Sequence, residues 1–319
     1  MFNDFIGNEK AKNVINIGIC AAIRKNDRIP HYIFSGAAGN GKTKMAKDIV
    51  KETGAVSVYL NASTITNTES VVQSLDMLFE EYNKKNARHA IVIVDEAHSL
   101  KGGKICDFFL TAISEDTVEV KCGKTTRSLP IMRTKSGRND FLSWIFITNR
   151  TGELADALIS RLTEVRFVDY SEDEKCEIAK RYFEHLDSEI RPEICTEVGK
   201  RAWSAREVIK YVEGINDYAI FKDLDEDISI ENVNEYFELI GVDSRGLGIA
   251  ELEYIEILKN SPNGISLQNI ATKMGIGVKD ISEMIEKKLV RLNIVSIESN
   301  GRSLVDRSTL SNRFSIEEQ

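Results

Sequence analysis

The sequence predicts an α/β protein in three parts: a parallel sheet covered by helices, a small helical domain and a C-terminal winged helix. Three observations lead to this fold class. Strand and helix patterns alternate over residues 1–168, which is typical of a parallel sheet with helices on both faces. Residues 169–241 show the helical spacing of apolar side chains. Residues 242–319 contain three helical segments followed by two short strands, the order found in a winged helix.

Short apolar segments in the first part predict the strands of a buried sheet. They are rich in β-branched and aromatic residues, and amphipathic segments separate them. The predicted strands are Tyr32–Ser35, Val56–Leu60, Ile91–Val94 and Ser143–Thr148.

A glycine-rich loop between the first strand and a helix is the most informative feature of the chain. Residues 36–43 read Gly-Ala-Ala-Gly-Asn-Gly-Lys-Thr and fit the phosphate-loop pattern G-x-x-x-x-G-K-[ST]. Gly39 and Gly41 let backbone N–H groups turn toward phosphates at a helix N-terminus, where the helix dipole favours negative charge. We expect Lys42 to reach the β- and γ-phosphates of a bound triphosphate, and Thr43 to ligate Mg²⁺. The candidate nucleotide contacts in this loop are Gly36, Gly39, Gly41, Lys42, Thr43 and Lys44.

The second part of the candidate nucleotide site follows the strand Ile91–Val94. Asp95 and Glu96 come directly after this β-branched run, so a buried parallel strand would carry both carboxylates to its C-terminal edge. Asp95 is the expected Mg²⁺ partner of Thr43, and Glu96 is the expected base that polarises the attacking water. An acid pair at a strand end is by itself more often a helix cap. Behind a phosphate loop we interpret it as a hydrolytic pair.

Residues 117–138 predict an inserted β-hairpin. Polar and apolar residues alternate on both sides of Gly123, and the hairpin and its tail are rich in lysine and arginine. A solvated surface hairpin and a partner-binding hairpin both fit this pattern.

Capping and turn signals define elements of the second and third parts. Ser171 and Glu174 form a predicted capping box, and a second helix is predicted around Glu207–Ile220. The helices of the third part are predicted at Ile249–Leu258, Leu267–Lys273 and Val278–Leu289. The predicted wing strands are Ile294–Ile297 and Arg302–Val305. The dipeptide Asn300-Gly301 between them favours a tight hairpin turn.

Composition indicates an ordinary globular protein. The 319 residues are 42% hydrophobic and 29% charged, with a net charge of −8 and no apolar run long enough to span a membrane. Residues 171–240 hold 9 basic and 19 acidic side chains, so the acidity is concentrated there and DNA binding elsewhere stays open. The five cysteines are widely spaced, which favours reduced thiols, and the N-terminus lacks a secretory pattern. We therefore expect a cytoplasmic protein.

Four segments resemble motifs of the RuvB-like AAA+ ATPases, the motors of Holliday-junction branch migration. They are Phe5–Lys12 for the opening box, Asp95–His98 for the acidic box, Ile147–Arg150 for the sensor strand and Gly241–Leu247 at the start of the winged helix. The order of these motifs is similar over nearly the whole chain. The resemblance implies an AAA+ core at residues 1–168, a helical lid at 169–241 and a DNA-binding winged helix at 242–319.

The resemblance also implies roles for individual residues. Asn149 would be the first sensor, which binds the attacking water or the γ-phosphate, and Arg206 the second sensor on the lid. Arg161 matches an arginine finger that reaches the nucleotide of a neighbouring subunit, although a lone arginine more often forms a surface ion pair. The implied base-side contacts are Phe5, Ile6 and Tyr170, and the implied DNA contacts are Arg302, Lys279 and Arg307.

The function that the resemblance implies is ATP-dependent translocation of DNA by a homo-hexamer. ATP and Mg²⁺ would be the cofactors, duplex DNA or a four-way junction the substrate, and a junction-recognising RuvA-like protein the partner of the hairpin at 117–138. Two other functions stay open. One is an AAA+ clamp-loader or replication-initiation loader subunit, although Ser160-Arg161-Leu162 lacks the Ser-Arg-Cys expected at a clamp-loader finger. The other is a scaffold that binds nucleotide without hydrolysing it.

Overall fold

The computed structural model describes residues 1–100, 102–115, 117–122, 125–130, 141–186, 191–224 and 228–305, with the backbone alone at 115, 117–122, 125–130 and 141. Within these ranges no helix has both the length and the apolar composition needed to cross a membrane. The described chain divides into two compact units. The first comprises Met1–His185 and Ser204–Tyr211, and the second comprises the described parts of Leu186–Trp203 and Val212–Gln319.

The first unit alternates strands and helices. Its strands are β1 (Tyr32–Ser35), β2 (Val56–Asn61), β3 (His89–Asp95), β4 (Thr117–Cys122), β5 (Thr125–Pro130), β6 (Phe141–Thr148) and β7 (Thr163–Arg166). Its helices are α1 (Glu9–Lys25), α2 (Lys42–Thr53), α3 (Thr68–Lys85), α4 (Lys104–Glu115), α5 (Asp156–Ile159) and α6 (Glu172–His185). The next helices along the chain are α7 (Pro192–Arg201), α8 (Ala205–Phe221) and α9 (Ile230–Leu239).

Five of the described strands form one parallel sheet in the order β2-β3-β6-β1-β7. All four predicted strands belong to it, which confirms the predicted parallel sheet. The sequence prediction lacks β7, because this strand lies at the sheet edge and buries only Val165 of its four residues. No apolar alternation therefore marks it.

Helices cover both faces of the sheet. Successive residues of a strand point to opposite faces, so Ile91 and Ile93 join one apolar core while Val92 and Val94 join the other. The first core also contains Ile15 and Ile19 of α1 and Met45 and Ile49 of α2. The second contains Leu75 and Leu78 of α3 and Phe109 and Ile113 of α4. This two-sided packing holds the carboxyl ends of β1, β3 and β6 beside one another.

The inserted hairpin and the capping box are both present. β4 and β5 pair antiparallel, with Thr117 opposite Pro130, while residues 131–138 of the predicted insertion lie outside the described residues. At the start of α6, the Ser171 N–H donates to Glu174 Oε2 at 2.8 Å, and the Glu174 N–H donates to Ser171 Oγ at 3.1 Å.

The helix predicted around Glu207–Ile220 is confirmed as α8. The sequence prediction gave no bounds for α7 and α9, which have 10 residues each. Helix α6 belongs to the same compact unit as the sheet. The boundaries at 1–168, 169–241 and 242–319 stay a prediction.

The end of the second unit has the elements of a winged helix. Its helices are α10 (Ile249–Lys259), α11 (Leu267–Met274), α12 (Val278–Asp280) and α13 (Lys287–Arg291), and its strands are β8 (Val295–Glu298) and β9 (Gly301–Leu304). The single helix predicted at Val278–Leu289 is interrupted by a π-helical turn at Ile281–Glu286. This turn brings Glu286 into the domain interior, where it is buried.

The predicted Asn300-Gly301 turn is wrong by one residue. Gly301 pairs with Glu298 at the end of the hairpin, so Ser299 and Asn300 form the turn. Gly301 is needed for a different reason, because a Cβ at this position would lie 2.5 Å from the Ile265 carbonyl oxygen. The close approach lets Ile265 form a bridge with the residue that follows Gly301.

Candidate functional site

The phosphate loop connects β1 to α2 in a conformation that requires its glycines. Gly36 and Gly41 have φ angles of 139° and 83°, which residues with a side chain rarely adopt. A Cβ on Gly36 would lie 2.3 Å from the Phe167 carbonyl oxygen, and one on Gly41 would lie 2.6 Å from the Tyr170 hydroxyl. The glycines thus allow the loop backbone to turn tightly at the N-terminus of α2, a position that favours anions.

Lys42 is buried, and its ammonium group is held within the loop. Its Nζ donates to the carbonyl oxygens of Gly36 at 2.8 Å and Ala37 at 2.6 Å. Burial lowers the pKa of Lys42 to about 8, although the carboxylates of Asp95 and Glu96 act in the opposite direction. If phosphates occupied the loop, the Lys42 ammonium group would donate to their charged oxygens in place of these neutral carbonyl oxygens.

Nucleotide affinity is therefore expected to depend on pH through Lys42. Bound phosphates favour the ammonium form of Lys42 and raise the pKa of this side chain. Without nucleotide the pKa of Lys42 is about 8, so above pH 8 the binding of a nucleotide is coupled to the uptake of a proton by Lys42. Affinity should be nearly constant from pH 6 to 7 and about tenfold weaker at pH 9. Titration with a fluorescent ATP analogue measures this dependence. Lys42→Arg, which stays charged throughout, is the control, and a wild-type affinity that stays constant to pH 9 would contradict the assignment.

Asp95 is held by hydrogen bonds to both of its carboxylate oxygens. Its Oδ1 accepts the Glu96 N–H at 2.8 Å, and its Oδ2 accepts the Thr43 hydroxyl at 3.3 Å and also the Tyr59 hydroxyl. Burial and the bond to Asp95 both raise the pKa of Tyr59, so this phenol remains a donor at neutral pH. Sequence reasoning missed Tyr59, because no motif includes it.

The oxygens of Thr43 and Asp95 fit the predicted Mg²⁺ site. Mg²⁺ prefers oxygen ligands and is commonly bound by one or two protein side chains together with phosphates and water. Among the described residues, no group of three or more His, Cys, Asp or Glu is arranged to hold a metal ion. Phosphate oxygens and water are the ligands that would complete a Mg²⁺ site built on Thr43 and Asp95.

Glu96 is linked to the end of β6 through His98. Glu96 has a left-handed backbone, with φ 52°, and its Oε2 lies 3.3 Å from His98 Nε2. The other ring nitrogen of His98 lies 3.4 Å from the hydroxyl of Thr148 at the end of β6. The candidate base and the residue before Asn149 are thus connected by one imidazole ring.

A cavity of about 450 Å³ brings most of the predicted nucleotide contacts together. The predicted residues that line it are Phe5, Ile6, Gly39, Gly41, Lys42, Thr43, Lys44, Asp95, Glu96, Asn149, Tyr170 and Arg206. Further lining residues, which sequence reasoning missed, are Asp4, Ala38, Ile147, Thr148, Ile178, Arg181, Tyr182, Ala205 and Ile209. Ile178 and Tyr182 lie four residues apart on α6 and share a face. That spacing identifies a helix face, but it does not distinguish a core from a cavity wall.

The residues predicted to contact the base lie at the start of the chain and at Tyr170, and they line the cavity. Phe5 is buried, and the Lys44 ammonium group lies 5.6 Å from the centre of its ring. The Tyr170 hydroxyl donates to the Asn40 carbonyl oxygen at 3.3 Å, and the Asn40 amide donates to Asp169 Oδ1 at 2.8 Å. These bonds connect the phosphate loop to the segment that precedes α6.

Arg161 lies apart from the cavity of its own chain. It is exposed and follows α5, and it is absent from the described residues that line the cavity. Its Nε donates to Ser114 Oγ at 2.6 Å, and one terminal nitrogen donates to the Ala157 carbonyl oxygen at 2.5 Å. The structure therefore does not bring Arg161 together with the predicted site residues that line the cavity.

The predicted DNA contacts differ in how they are placed. Lys279 is exposed on α12, and Arg307 lies outside the described residues. Arg302 is bound inside the winged helix: its Nε donates to Glu286 Oε1 at 2.8 Å, and that oxygen also accepts the Tyr254 hydroxyl at 2.8 Å. The Glu286 side chain is only 5% exposed and that of Arg302 21%, so the pair connects β9 to the helices.

Removing Glu286 is expected to destabilise the winged helix. Glu286→Ala would leave the Arg302 guanidinium and the Tyr254 hydroxyl without their acceptor, at a cost of about 2–4 kcal/mol in the free energy of unfolding. Hydrogen exchange at the amides of α10 and β9 measures the local effect. Glu253→Ala, at an exposed position of α10, is the control and should change stability by less than about 0.5 kcal/mol. Equal protection from hydrogen exchange in Glu286→Ala and Glu253→Ala would contradict a stabilising role for the bond between Glu286 and Arg302.

Two family descriptions match this chain. Residues 32–170 match the ATPase family associated with various cellular activities (AAA), and residues 244–310 match the RuvB C-terminal winged helix domain. Similar proteins include the Holliday junction branch migration complex subunit RuvB of Helicobacter pylori (strain G27), 27% identical over 308 residues, which are 95% of this chain and 87% of that protein. The same subunit of Campylobacter jejuni (strain RM1221) is 28% identical over 306 residues, 94% of this chain and 87% of that protein.

The fold is also similar to a solved structure. The Thermotoga maritima RuvB Holliday junction branch migration motor has a TM-score of 0.76 at 20% identity, over 98% of this chain and 96% of that one. The match supports the observed combination of a parallel sheet, helices and a winged helix. This chain therefore combines an AAA ATPase domain with a RuvB C-terminal winged helix domain, and it is similar to RuvB proteins over 94–95% of its length.

Proposed function

We propose that this protein is an ATP-dependent DNA translocase that drives branch migration of Holliday junctions in recombination and repair. The observation that carries the proposal is the cavity in which the phosphate loop, Asp95, Glu96 and Asn149 meet. The relatives named as subunits of the Holliday junction branch migration complex support the substrate. Acting on DNA, the protein would work in the cytoplasm.

The residues of the cavity account for binding and hydrolysis of ATP. The backbone N–H groups of the phosphate loop would bind the phosphates, and Lys42 would transfer its hydrogen bonds to them from the loop carbonyl oxygens. Bound Mg²⁺, held by Thr43 and Asp95, would neutralise part of the phosphate charge. Glu96 would accept a proton from the attacking water, and Asn149 would orient that water or the γ-phosphate.

Catalysis is proposed to be shared between neighbouring subunits of a homo-hexamer. Arg161 does not line the cavity of its own chain, whereas an arginine supplied by an adjacent subunit stabilises charge in the transition state. Arg206, which does line the cavity, would instead act within one chain. A monomer would therefore bind ATP but hydrolyse it slowly.

Contacts with DNA and with a partner are proposed for two other parts of the chain. Lys279, which is exposed, and Arg307 are proposed to contact DNA phosphates, which add affinity without reading sequence. Arg302 would reach DNA only if it shared or left its bond with Glu286. The antiparallel hairpin of β4 and β5, within the insertion at 117–138, would bind a junction-recognising RuvA-like partner.

ATP turnover with different DNA substrates tests this function. The full chain is assayed without DNA, with linear duplex and with a four-way junction labelled to report strand exchange. We expect DNA to stimulate turnover severalfold and ATP to be required for strand exchange. Lys42→Ala, which cannot bind the phosphates through its side chain, is the control. Wild-type turnover no higher than that of Lys42→Ala under all conditions would favour a non-hydrolysing scaffold, and turnover without strand exchange would favour a loader.

A further inference from the structure

Tyr59 lies beside the acidic strand without belonging to any nucleotide-binding motif. It is on the edge strand β2, where it pairs with Ile93 of β3, and two residues further along Asn61 pairs with Asp95. From this position its hydroxyl donates to Asp95 Oδ2. The contact crosses from one strand to the next, so it depends on the register of the sheet.

The Tyr59 hydroxyl completes a set of hydrogen bonds around Asp95. Oδ1 accepts the Glu96 N–H at 2.8 Å, and Oδ2 also accepts the Thr43 hydroxyl at 3.3 Å. A carboxylate has about four acceptor positions, so these bonds orient the group and still leave one position open. The open position is on the carboxylate that the proposed function assigns to Mg²⁺.

A purely structural role for Tyr59 would not account for the hydrogen bond from its hydroxyl to Asp95. Tyr59 is 48% exposed, so its ring contributes little to the apolar core. The hydroxyl is the part of the side chain with a specific partner, and that partner is a candidate metal ligand. Groups that hydrogen-bond a metal ligand fix its orientation, and their loss typically weakens metal binding about 10–100-fold.

We propose that Tyr59 is a positioning residue for Mg²⁺, which holds the Asp95 carboxylate in the orientation needed to bind the metal together with Thr43. The inference rests on the proposed function of this cavity as a site for ATP and Mg²⁺. Tyr59 does not touch the nucleotide phosphates in this scheme. Its effect is confined to the part of nucleotide affinity that depends on the metal.

Nucleotide binding with and without the metal separates this role from a general one. A fluorescent, non-hydrolysable ATP analogue is bound to the full chain in EDTA and then in increasing MgCl₂. In Tyr59→Phe, we expect an unchanged dissociation constant in EDTA and about a tenfold higher Mg²⁺ concentration for half-maximal tightening. The matched control is Ser57→Ala, which removes an exposed hydroxyl two residues earlier on the same edge strand and should match the wild type.

A second measurement detects the metal itself. Mn²⁺ replaces Mg²⁺ at oxygen sites, and electron paramagnetic resonance counts the free ion in a mixture of protein and analogue. Tyr59→Phe should leave more Mn²⁺ free than the wild type or Ser57→Ala does.

The outcomes distinguish the inference from the function on which it rests. Tyr59→Phe with the wild-type Mg²⁺ dependence would overturn the positioning role, and so would equal weakening in EDTA and in MgCl₂, because that result indicates a structural effect. Both results leave ATP binding by the wild type intact. A wild-type chain that binds no analogue under any condition would instead refute the proposed function.

Discussion

Arg161→Ala is expected to reduce ATP hydrolysis by about 10³-fold or more while nucleotide affinity stays unchanged. Arg161 is exposed and lies outside the cavity of its own chain, where it binds only Ser114 and the Ala157 carbonyl oxygen among the contacts described. Its removal should therefore not disturb the loop that binds the nucleotide. Turnover at saturating ATP and titration with a fluorescent ATP analogue measure the two quantities separately.

Mixing two inactive variants tests whether the arginine acts on a neighbour. Lys42→Ala subunits retain Arg161, and Arg161→Ala subunits retain the phosphate loop, so mixed assemblies contain some complete interfaces. We expect partial recovery of turnover in the mixture. Arg88→Ala, at an exposed position before β3 and thus at the opposite end of the strand from Asp95, should hydrolyse ATP normally. Normal turnover by Arg161→Ala, or no recovery on mixing, would contradict catalysis in trans.

Glu96→Gln is the second change with a large expected effect. The amide preserves the size of the side chain but cannot accept a proton from water, so hydrolysis should fall about 10²–10⁴-fold. ATP should still bind, because Lys42, Thr43 and Asp95 are unchanged. The variant is therefore expected to retain unhydrolysed ATP.

Single-turnover assays and filter retention of labelled ATP measure this result. Glu52→Gln, an exposed position on α2, controls for the loss of one negative charge. Hydrolysis by Glu96→Gln at the wild-type rate would show that another group activates the water. Loss of ATP binding would instead indicate that the link from Glu96 to His98 maintains the shape of the cavity.

Local sequence patterns predicted the elements that form the site. The phosphate loop has a fixed spacing of glycines and lysine, and the strand before Asp95 is a continuous apolar run. Such signals lie within about ten residues, so they can be read without the fold. The edge strand β7 gave no such signal, because only Val165 is buried there.

The turn of the wing shows where a local signal misleads. Asn-Gly favours a tight turn in isolation, yet Gly301 lies in β9 because its lack of a side chain lets Ile265 approach. Arg302 is a similar case, since its charge suggests DNA while its position brings it to a buried carboxylate. Contacts with residues distant in sequence decide both cases.

By itself, the sequence determined which chemical groups make up the candidate site: a glycine loop, a lysine, a hydroxyl and two carboxylates in motifs of fixed spacing. Only the tertiary structure decided which groups surround them. Tyr59 contacts Asp95, and His98 contacts Thr148. These contacts form because neighbouring parallel strands bring their carboxyl ends to the same edge of the sheet. The spacing of residues along the chain identifies the chemical groups of the site. Strand order and register, which are set by packing on both faces of the sheet, decide which residues lie next to them.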